Sequence, residues 1–110
     1  MTREMVSHPF ELIYAPAFLE NLKAIERKYY SLIRETIEDQ LLFEPDVETK
    51  NRKPLRRPIA VGGEWELRFG QANRFRVFYA VQREENRVHV LAVGEKVGNR
   101  LLVGGKEIEL

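Results

Sequence analysis

The sequence contains no cysteine, and that absence excludes several kinds of site at once. Disulfide bonds, thiolate nucleophiles and cysteine-ligated zinc all need that residue. Histidine is also scarce: only His8 and His89 are present, and their spacing does not suggest a metal pair. We therefore predict no metal site, and the lack of cysteine is typical of a protein in a reducing cytoplasm.

Long apolar runs are missing as well. No segment approaches the roughly 20 apolar residues that a membrane-spanning helix needs. The first ten residues, "MTREMVSHPF", lack the apolar core of a secretory signal, so we expect neither export nor a membrane partner. The glycines in "GQANR" and "VGGKE" do not have the spacing of a phosphate-binding loop before a helix. We therefore predict no nucleotide and no other cofactor.

The charges that are present are segregated along the chain. The 110 residues carry a net charge of only +1, but residues 1–49 hold 5 basic and 10 acidic residues and residues 50–76 hold 8 and 2. The remaining residues, 77–110, hold 5 of each. At this length, with 44% hydrophobic residues, we expect a single domain over residues 1–110. Its cationic middle third is either a solvated loop or a surface for polyanions.

Two hydrophobic periodicities divide the first half of the chain. Alternation in "PFELIY" predicts a short strand that includes Phe10, Leu12 and Tyr14. From Pro16, which suits the first turn of a helix, apolar residues recur every three or four positions to about Phe43. Periodicity alone does not decide between one long helix and two, although Ser31 is a possible cap for a second.

The second half of the chain has the pattern of an antiparallel meander. A polar connector, residues 46–63, precedes three strand-like runs at residues 64–69, 74–82 and 87–93, which are joined by hairpin-length turns. The segment "LLV" at 101–103 can add a short edge strand. We therefore predict an α+β fold, with helices packed on one face of a mainly antiparallel four-stranded sheet that includes the N-terminal strand.

Alternation within the strands assigns side chains to the two sheet faces. The face toward the helices should bury Trp65, Leu67, Phe69, Val77, Tyr79 and Val81. This assignment places Arg68 and Arg76 side by side on the opposite face. Two adjacent guanidiniums repel each other unless an anion separates them. The anion is either a carboxylate, for which Glu66 and Glu64 are the candidates, or a bound phosphate, with Phe78 available for base stacking.

The ordered set of motifs resembles the RelE/ParE superfamily of bacterial type II toxins. The segments "NRKPLRRP", "WELRF", "NRFRVFYAV", "VHVLAVGEK" and "GNRLLVGG" carry the resemblance, which covers most of the chain and is most specific over residues 51–105. It implies a two-helix hairpin with its turn near Tyr30 and Ser31. It also implies a cognate antitoxin that wraps the helices and, for the RelE branch, cleavage of mRNA on the ribosome by attack of a ribose 2′-OH on the adjacent phosphate.

The resemblance further implies roles for individual residues. Arg76 in "FRVFY", Arg68 in "WELRF" and Lys96 in "AVGEK" match catalytic cations that hold the scissile phosphate and stabilise its developing charge. Around them we expect a wider set of basic residues to contact RNA: Lys50, Arg52, Lys53, Arg56, Arg57, Arg74 and Arg100.

One departure from the family pattern keeps other functions open. Leu102 stands nearest the place where RelE has a tyrosine that assists proton transfer, so the proton acceptor would have to be Glu66, Glu95 or His89. Without that tyrosine, a ParE-type inhibitor of DNA gyrase that performs no catalysis is the alternative, followed by a non-toxic RNA-binding relic of the fold.

Overall fold

The computed structural model describes residues 8–109, and its helical layer consists of two helices. Helix α1 spans Pro16–Leu22 and helix α2 spans Tyr30–Leu41, with a 3₁₀ turn at Arg27–Tyr29 between them. The Tyr30 hydroxyl donates a 2.7 Å hydrogen bond to the Leu22 carbonyl, which links the start of α2 to the end of α1. The two-helix alternative is therefore correct, but the turn between the helices lies at residues 23–29 and not near Tyr30 and Ser31, which are in α2. Ser31 is not the cap, since it lies inside α2 and Tyr29 precedes the helix.

Seven strands in the described residues form one sheet. The order β2-β3-β4-β5-β6-β7 is antiparallel throughout, while β1 pairs in parallel with the first half of β5. The strands are β1 (Glu11–Tyr14), β2 (Arg52–Pro54), β3 (Trp65–Phe69), β4 (Phe75–Gln82), β5 (Arg87–Val97), β6 (Arg100–Val103) and β7 (Lys106–Ile108). The fold class is as predicted, but four strands is an underestimate, because β6 was predicted only as a possible edge strand and β2 and β7 were not predicted as strands.

The principal core lies between the helices and one face of the sheet, here called the helix face. Ile33, Ile37 and Leu41 of α2 are buried against the sheet. The sheet contributes Leu67, Phe69, Val77 and Tyr79, while Trp65 and Val81 pack at its margin. All six residues assigned to this face by alternation are confirmed there. Their burial contributes to the hydrophobic stabilisation that holds the two layers together.

The opposite face of the sheet carries a second, smaller core. Phe78 is fully buried there with Ala92, Leu101 and Val103, beneath three residues of the connector and one of β7: Leu55, Ile59, Val61 and Ile108. The prediction that Phe78 offers a stacking surface for a base is wrong, because the connector folds back over its ring. As a result the part of the opposite face around Phe78 is covered, whereas Arg68 stays partly exposed.

Candidate nucleic-acid interface

The two arginines singled out from the sequence are direct neighbours in the sheet. In the antiparallel register of β3 and β4, Arg68 lies opposite Arg76, and Glu66 lies opposite Phe78. Residues at alternate positions share a face, so Glu66 and Arg68 both lie on the opposite face with Arg76. The strand alternation predicted this juxtaposition correctly.

A buried carboxylate separates the two guanidiniums. Glu66 Oε1 accepts a 2.8 Å hydrogen bond from Arg68 Nε, and Glu66 Oε2 accepts one of 3.0 Å from Arg76 Nη1. The Glu66 side chain is only 3% exposed. The geometry therefore supports a carboxylate, rather than a phosphate, as the anion between the arginines. The three side chains together retain one formal positive charge.

A groove of about 650 Å³ opens beside this cluster, and we call it the cationic groove. Four of its lining residues are basic and two are acidic: Lys53, Arg56, Arg57, Arg68, Glu48 and Glu66. Strand β2 forms one wall, because Lys53 pairs with Glu66 across β2 and β3, and the connector after β2 carries Arg56 and Arg57. Both of these arginines are exposed, and within residues 8–109 neither forms an ion pair. The groove is thus a concave surface with excess positive charge, suited to phosphates.

Arg52 does not fit its predicted role in RNA binding. Its side chain is buried, with Nε bonded to the Val47 carbonyl at 2.9 Å and Nη1 bonded to the Gln40 carbonyl at 2.8 Å. Since Gln40 lies in the last turn of α2, the guanidinium satisfies a carbonyl at the negative end of that helix. The sequence did not indicate this structural role, because Arg52 lies among the basic residues of segment 50–57. Lys50, the next basic residue on the N-terminal side, is exposed but does not line the groove.

Arg74 is bound to other side chains of the protein, although its own side chain is 37% exposed. Its Nε bonds to Glu95 at 2.6 Å and its Nη1 to the Tyr29 hydroxyl at 2.8 Å, with the guanidinium over the Tyr29 ring. The hydrogen bond to Glu95 raises the pKa of Arg74 above its ordinary value. These contacts join the β3–β4 turn and β5 to the turn between α1 and α2, so Arg74 is a link between the layers.

The remaining predicted cations lie away from the groove. Lys96 is exposed and, two residues beyond Gly94, shares the face of Arg76, but it lines a separate depression with Gln71 and Arg74. Arg100 is exposed on β6 and pairs with Glu107 of β7 at 3.1 Å. Of the sequence-predicted basic residues, the structure gathers only Lys53, Arg56, Arg57 and Arg68 around the groove.

The three candidate proton acceptors are widely separated in the fold. Glu95 binds Arg74, and His89 contacts Gln82 at 2.8 Å near the other end of β5. Glu66 is the one among the three that lines the cationic groove. Leu102, half-buried on β6, contributes an aliphatic side chain to a different hollow near α1.

A second groove, mainly apolar, is lined by residues of both helices and of β1. It has a volume of about 300 Å³, and we call it the helix groove. Its apolar lining comes from β1, α1 and α2: Tyr14, Phe18, Leu19, Leu22, Tyr30, Ile33 and Ile37. Leu19 is 53% exposed at this site, while Arg34 and Glu38 provide charges at its margin. Within residues 8–109 no helix is long and apolar enough to cross a bilayer.

Comparisons with known proteins agree with this architecture. The family model for the ParE toxin of the type II toxin-antitoxin system parDE matches residues 12–97. Among solved structures, the RelBE2 toxin-antitoxin complex of Mycobacterium tuberculosis contains a similar chain, with a TM-score of 0.64 and 21% sequence identity. The alignment covers 86% of this chain and 98% of the other. A comparison with the curated proteins finds no match.

The family match and the structural match concern the same elements. Residues 12–97 run from β1 through both helices to the end of β5, and so include the helix groove and the cationic groove. At 21% identity the structural likeness establishes the fold, while the family model matches well over half of the sequence. The chain therefore belongs to the ParE toxin family of type II toxin-antitoxin systems, within the RelE/ParE superfamily.

Proposed function

We propose that this toxin is a RelE-like, ribosome-dependent mRNA endoribonuclease that inhibits translation in the cytoplasm. The observation that carries the proposal is the cationic groove, where Arg68 lies with Lys53, Arg56 and Arg57. Arginine and lysine side chains that converge on a concave surface bind successive phosphates of a polynucleotide. Gyrase inhibition by contact with a protein surface has no evident need for such a groove.

The proposed reaction cleaves mRNA by attack of a ribose 2′-OH on the adjacent phosphate: a bond forms between the 2′-oxygen and phosphorus, and the bond from phosphorus to the 5′-oxygen of the next nucleotide breaks. The 2′-OH gives up its proton and the leaving 5′-oxygen takes one up, so no proton is gained or lost overall. Charge builds up on the phosphate oxygens in the transition state, and a guanidinium within hydrogen-bond reach stabilises it. Arg68 is the best-placed cation for this role, as its side chain is 37% exposed and lines the groove. Lys96 stays a predicted contact for a longer stretch of RNA that runs past the groove.

The proposed partner on the other side of the molecule is a cognate antitoxin. The helix groove combines a half-exposed leucine with aromatic and aliphatic walls, a surface that an amphipathic segment of a partner can cover. The complex named for the M. tuberculosis structure contains a toxin and an antitoxin, which supports a partner of the same kind here. A short gene for a helical, antitoxin-like chain beside this one is therefore expected.

The test is to induce the lone protein in bacterial cells while translation, mRNA integrity and DNA supercoiling are followed together. We expect translation to stop and primer extension to detect ribosome-dependent cuts in mRNA. The cuts should disappear in Arg68→Gln but persist in Arg100→Gln, a matched change of an exposed arginine outside the groove. Co-expression of the adjacent antitoxin should restore growth.

A second candidate, a ParE-type inhibitor of DNA gyrase, is favoured by one observation. Glu66 already balances part of the charge of Arg68 and Arg76, so the pair does not require a phosphate. The same induction experiment separates the two candidates. Altered plasmid supercoiling with intact mRNA would exclude the endoribonuclease and support gyrase as the target.

A further inference from the structure

Arg68, Glu66 and Arg76 form a chain of contacts in which the carboxylate is the central member. Each oxygen of Glu66 accepts a hydrogen bond from a different guanidinium, at 2.8 Å from Arg68 Nε and 3.0 Å from Arg76 Nη1. A carboxylate held at both oxygens cannot rotate without breaking one of these bonds. The bond to Arg76 therefore fixes the orientation of the carboxylate, and the carboxylate in turn fixes the position of Arg68 Nε.

The two arginines differ in what they can reach. The Arg76 side chain is 10% exposed, it does not line the cationic groove, and its Nε donates to the Asn73 carbonyl at 3.3 Å. Arg68 is 37% exposed and does line the groove. Within residues 8–109 the one hydrogen bond from the Arg68 guanidinium is that of Nε to Glu66, which leaves its two terminal nitrogens available.

We infer that Glu66 is a positioning residue that aims the terminal nitrogens of Arg68 into the cationic groove, and that Arg68 binds phosphate while Arg76 anchors the carboxylate. A guanidinium is planar, so fixing Nε also fixes the direction of the fork formed by its two terminal nitrogens. That fork matches two oxygens of one phosphate. The inference rests on the proposed function, because it takes the phosphates of the RNA backbone as the ligand of the cationic groove.

The inference predicts a change in phosphate affinity opposite to the one that charge alone would cause. A carboxylate beside a phosphate site repels the ligand, and its removal alone would strengthen binding. If Glu66 orients Arg68, its removal instead weakens binding in spite of the more favourable charge. Glu48 provides the matched comparison, because it lines the same groove but, among the residues that the structure describes, pairs only with Lys53, at 3.6 Å.

The experiment measures binding of an oligouridylate ten-mer and, separately, of inorganic pyrophosphate to wild-type protein and to the two variants. We expect Glu66→Gln to weaken both ligands about tenfold, the loss typical of one hydrogen bond to a charged group. Glu48→Gln should strengthen binding. If Glu66→Gln binds as tightly as Glu48→Gln or more tightly, the carboxylate only repels the ligand and the inference is overturned.

A second measurement uses the wild-type protein and does not depend on the folding of any variant. Nuclear magnetic resonance of the guanidinium groups during the same titrations should shift the terminal N–H signals of Arg68 and leave those of Arg76 in place. Equal shifts of both arginines, or no shift of Arg68 with either ligand, would overturn the inference. Binding as expected without mRNA cleavage in cells would instead reject the proposed endoribonuclease and leave the phosphate ligand assigned.

Discussion

At the scale of single residues, Tyr79 places a polar hydroxyl group in the principal core. Its ring is fully buried, and its hydroxyl donates a 2.6 Å hydrogen bond to the Pro45 carbonyl. Burial raises the pKa of Tyr79 above its ordinary value. The bond connects β4 to the segment that follows α2, so one side chain joins the sheet to the end of the helical layer.

We expect Tyr79→Phe to lower the free energy of unfolding at pH 7 by about 1–2 kcal/mol, because it leaves the Pro45 carbonyl without this donor. The raised pKa adds an alkaline effect: the folded protein keeps the phenol proton where the unfolded chain loses it. Stability should therefore fall as the pH rises above about 10, and this loss should be smaller in Tyr79→Phe. Urea denaturation at several pH values measures both effects.

Tyr14→Phe is the control for this prediction. Burial also raises the pKa of Tyr14, but its hydroxyl has no hydrogen-bond partner within residues 8–109. Its removal should change stability at pH 7 far less than the removal of the Tyr79 hydroxyl. Equal losses in the two variants would mean that the bond to Pro45 contributes nothing specific.

At the scale of secondary-structure elements, the junction of β4, β5 and β6 depends on Gly94. This residue lies opposite Arg76 on one side and Val103 on the other. A Cβ atom at this position would lie 2.8 Å from the Leu102 carbonyl oxygen and 2.8 Å from Val103 Cγ2. The carbonyl oxygen is a backbone atom of a paired strand, so it cannot move away without a shift of β6.

Gly94→Ala should therefore destabilise the fold by about 1–3 kcal/mol, as overpacking of a well-packed site does. Thermal unfolding followed by circular dichroism measures the change. Gly98→Asn is the control: that position has a left-handed φ of +63°, which asparagine tolerates, and no atom lies within 4 Å of an added Cβ. The explanation fails if the two variants unfold at the same temperature.

The sequence predicts those parts of the fold that follow from periodicity, and fails where distant segments meet. Alternation places Leu67, Val77 and Tyr79 on the helix face because a strand in contact with a hydrophobic layer must alternate. It cannot reveal that Leu55 and Ile59 of an irregular connector fold over Phe78. The hydrophobic residues of that connector have no period, so their destination depends on tertiary packing alone.

The candidate site divides in the same way. Adjacency of Arg68 and Arg76 follows from hairpin register, which local sequence determines. The burial of Arg52 does not follow from local sequence, because the carbonyls that accept its hydrogen bonds belong to Gln40 and Val47. Nothing in a run of basic residues indicates that one of them faces inward. The difference in exposure between Arg68 and Arg76 likewise depends on the path of the connector and the β3–β4 turn.

At the scale of the whole molecule, the segregation of charge in the sequence becomes a separation between two surfaces. The basic residues of the middle segment supply the cationic groove. Helix α2, in contrast, carries three acidic residues, Glu35, Glu38 and Asp39, and one basic residue, Arg34. A polyanion is therefore attracted to one side of a protein whose net charge is only +1. Binding should be strongly dependent on salt and weakly dependent on nucleotide sequence.

The replacement of Arg56 and Arg57 together by serine tests this expectation. If each contacts one phosphate of a single strand, the slope of log affinity against log salt concentration should decrease by about 1.4, since each contact contributes about 0.7. Fluorescence titration of an oligouridylate ten-mer at several salt concentrations measures the slope. Arg100→Ser should leave it unchanged, and an equal effect of Arg100→Ser would place the bound strand elsewhere.

The parallel pairing of β1 with β5 also constrains when the protein can fold during its own synthesis. Glu11 of β1 meets Arg87 of β5, 76 residues further along the chain, and β6 must still emerge to complete the second half of the β5 edge. The helices therefore have no complete sheet to pack against until β5 and β6 have been synthesised. A nascent chain therefore cannot become a folded toxin until β6 has left the ribosome that made it.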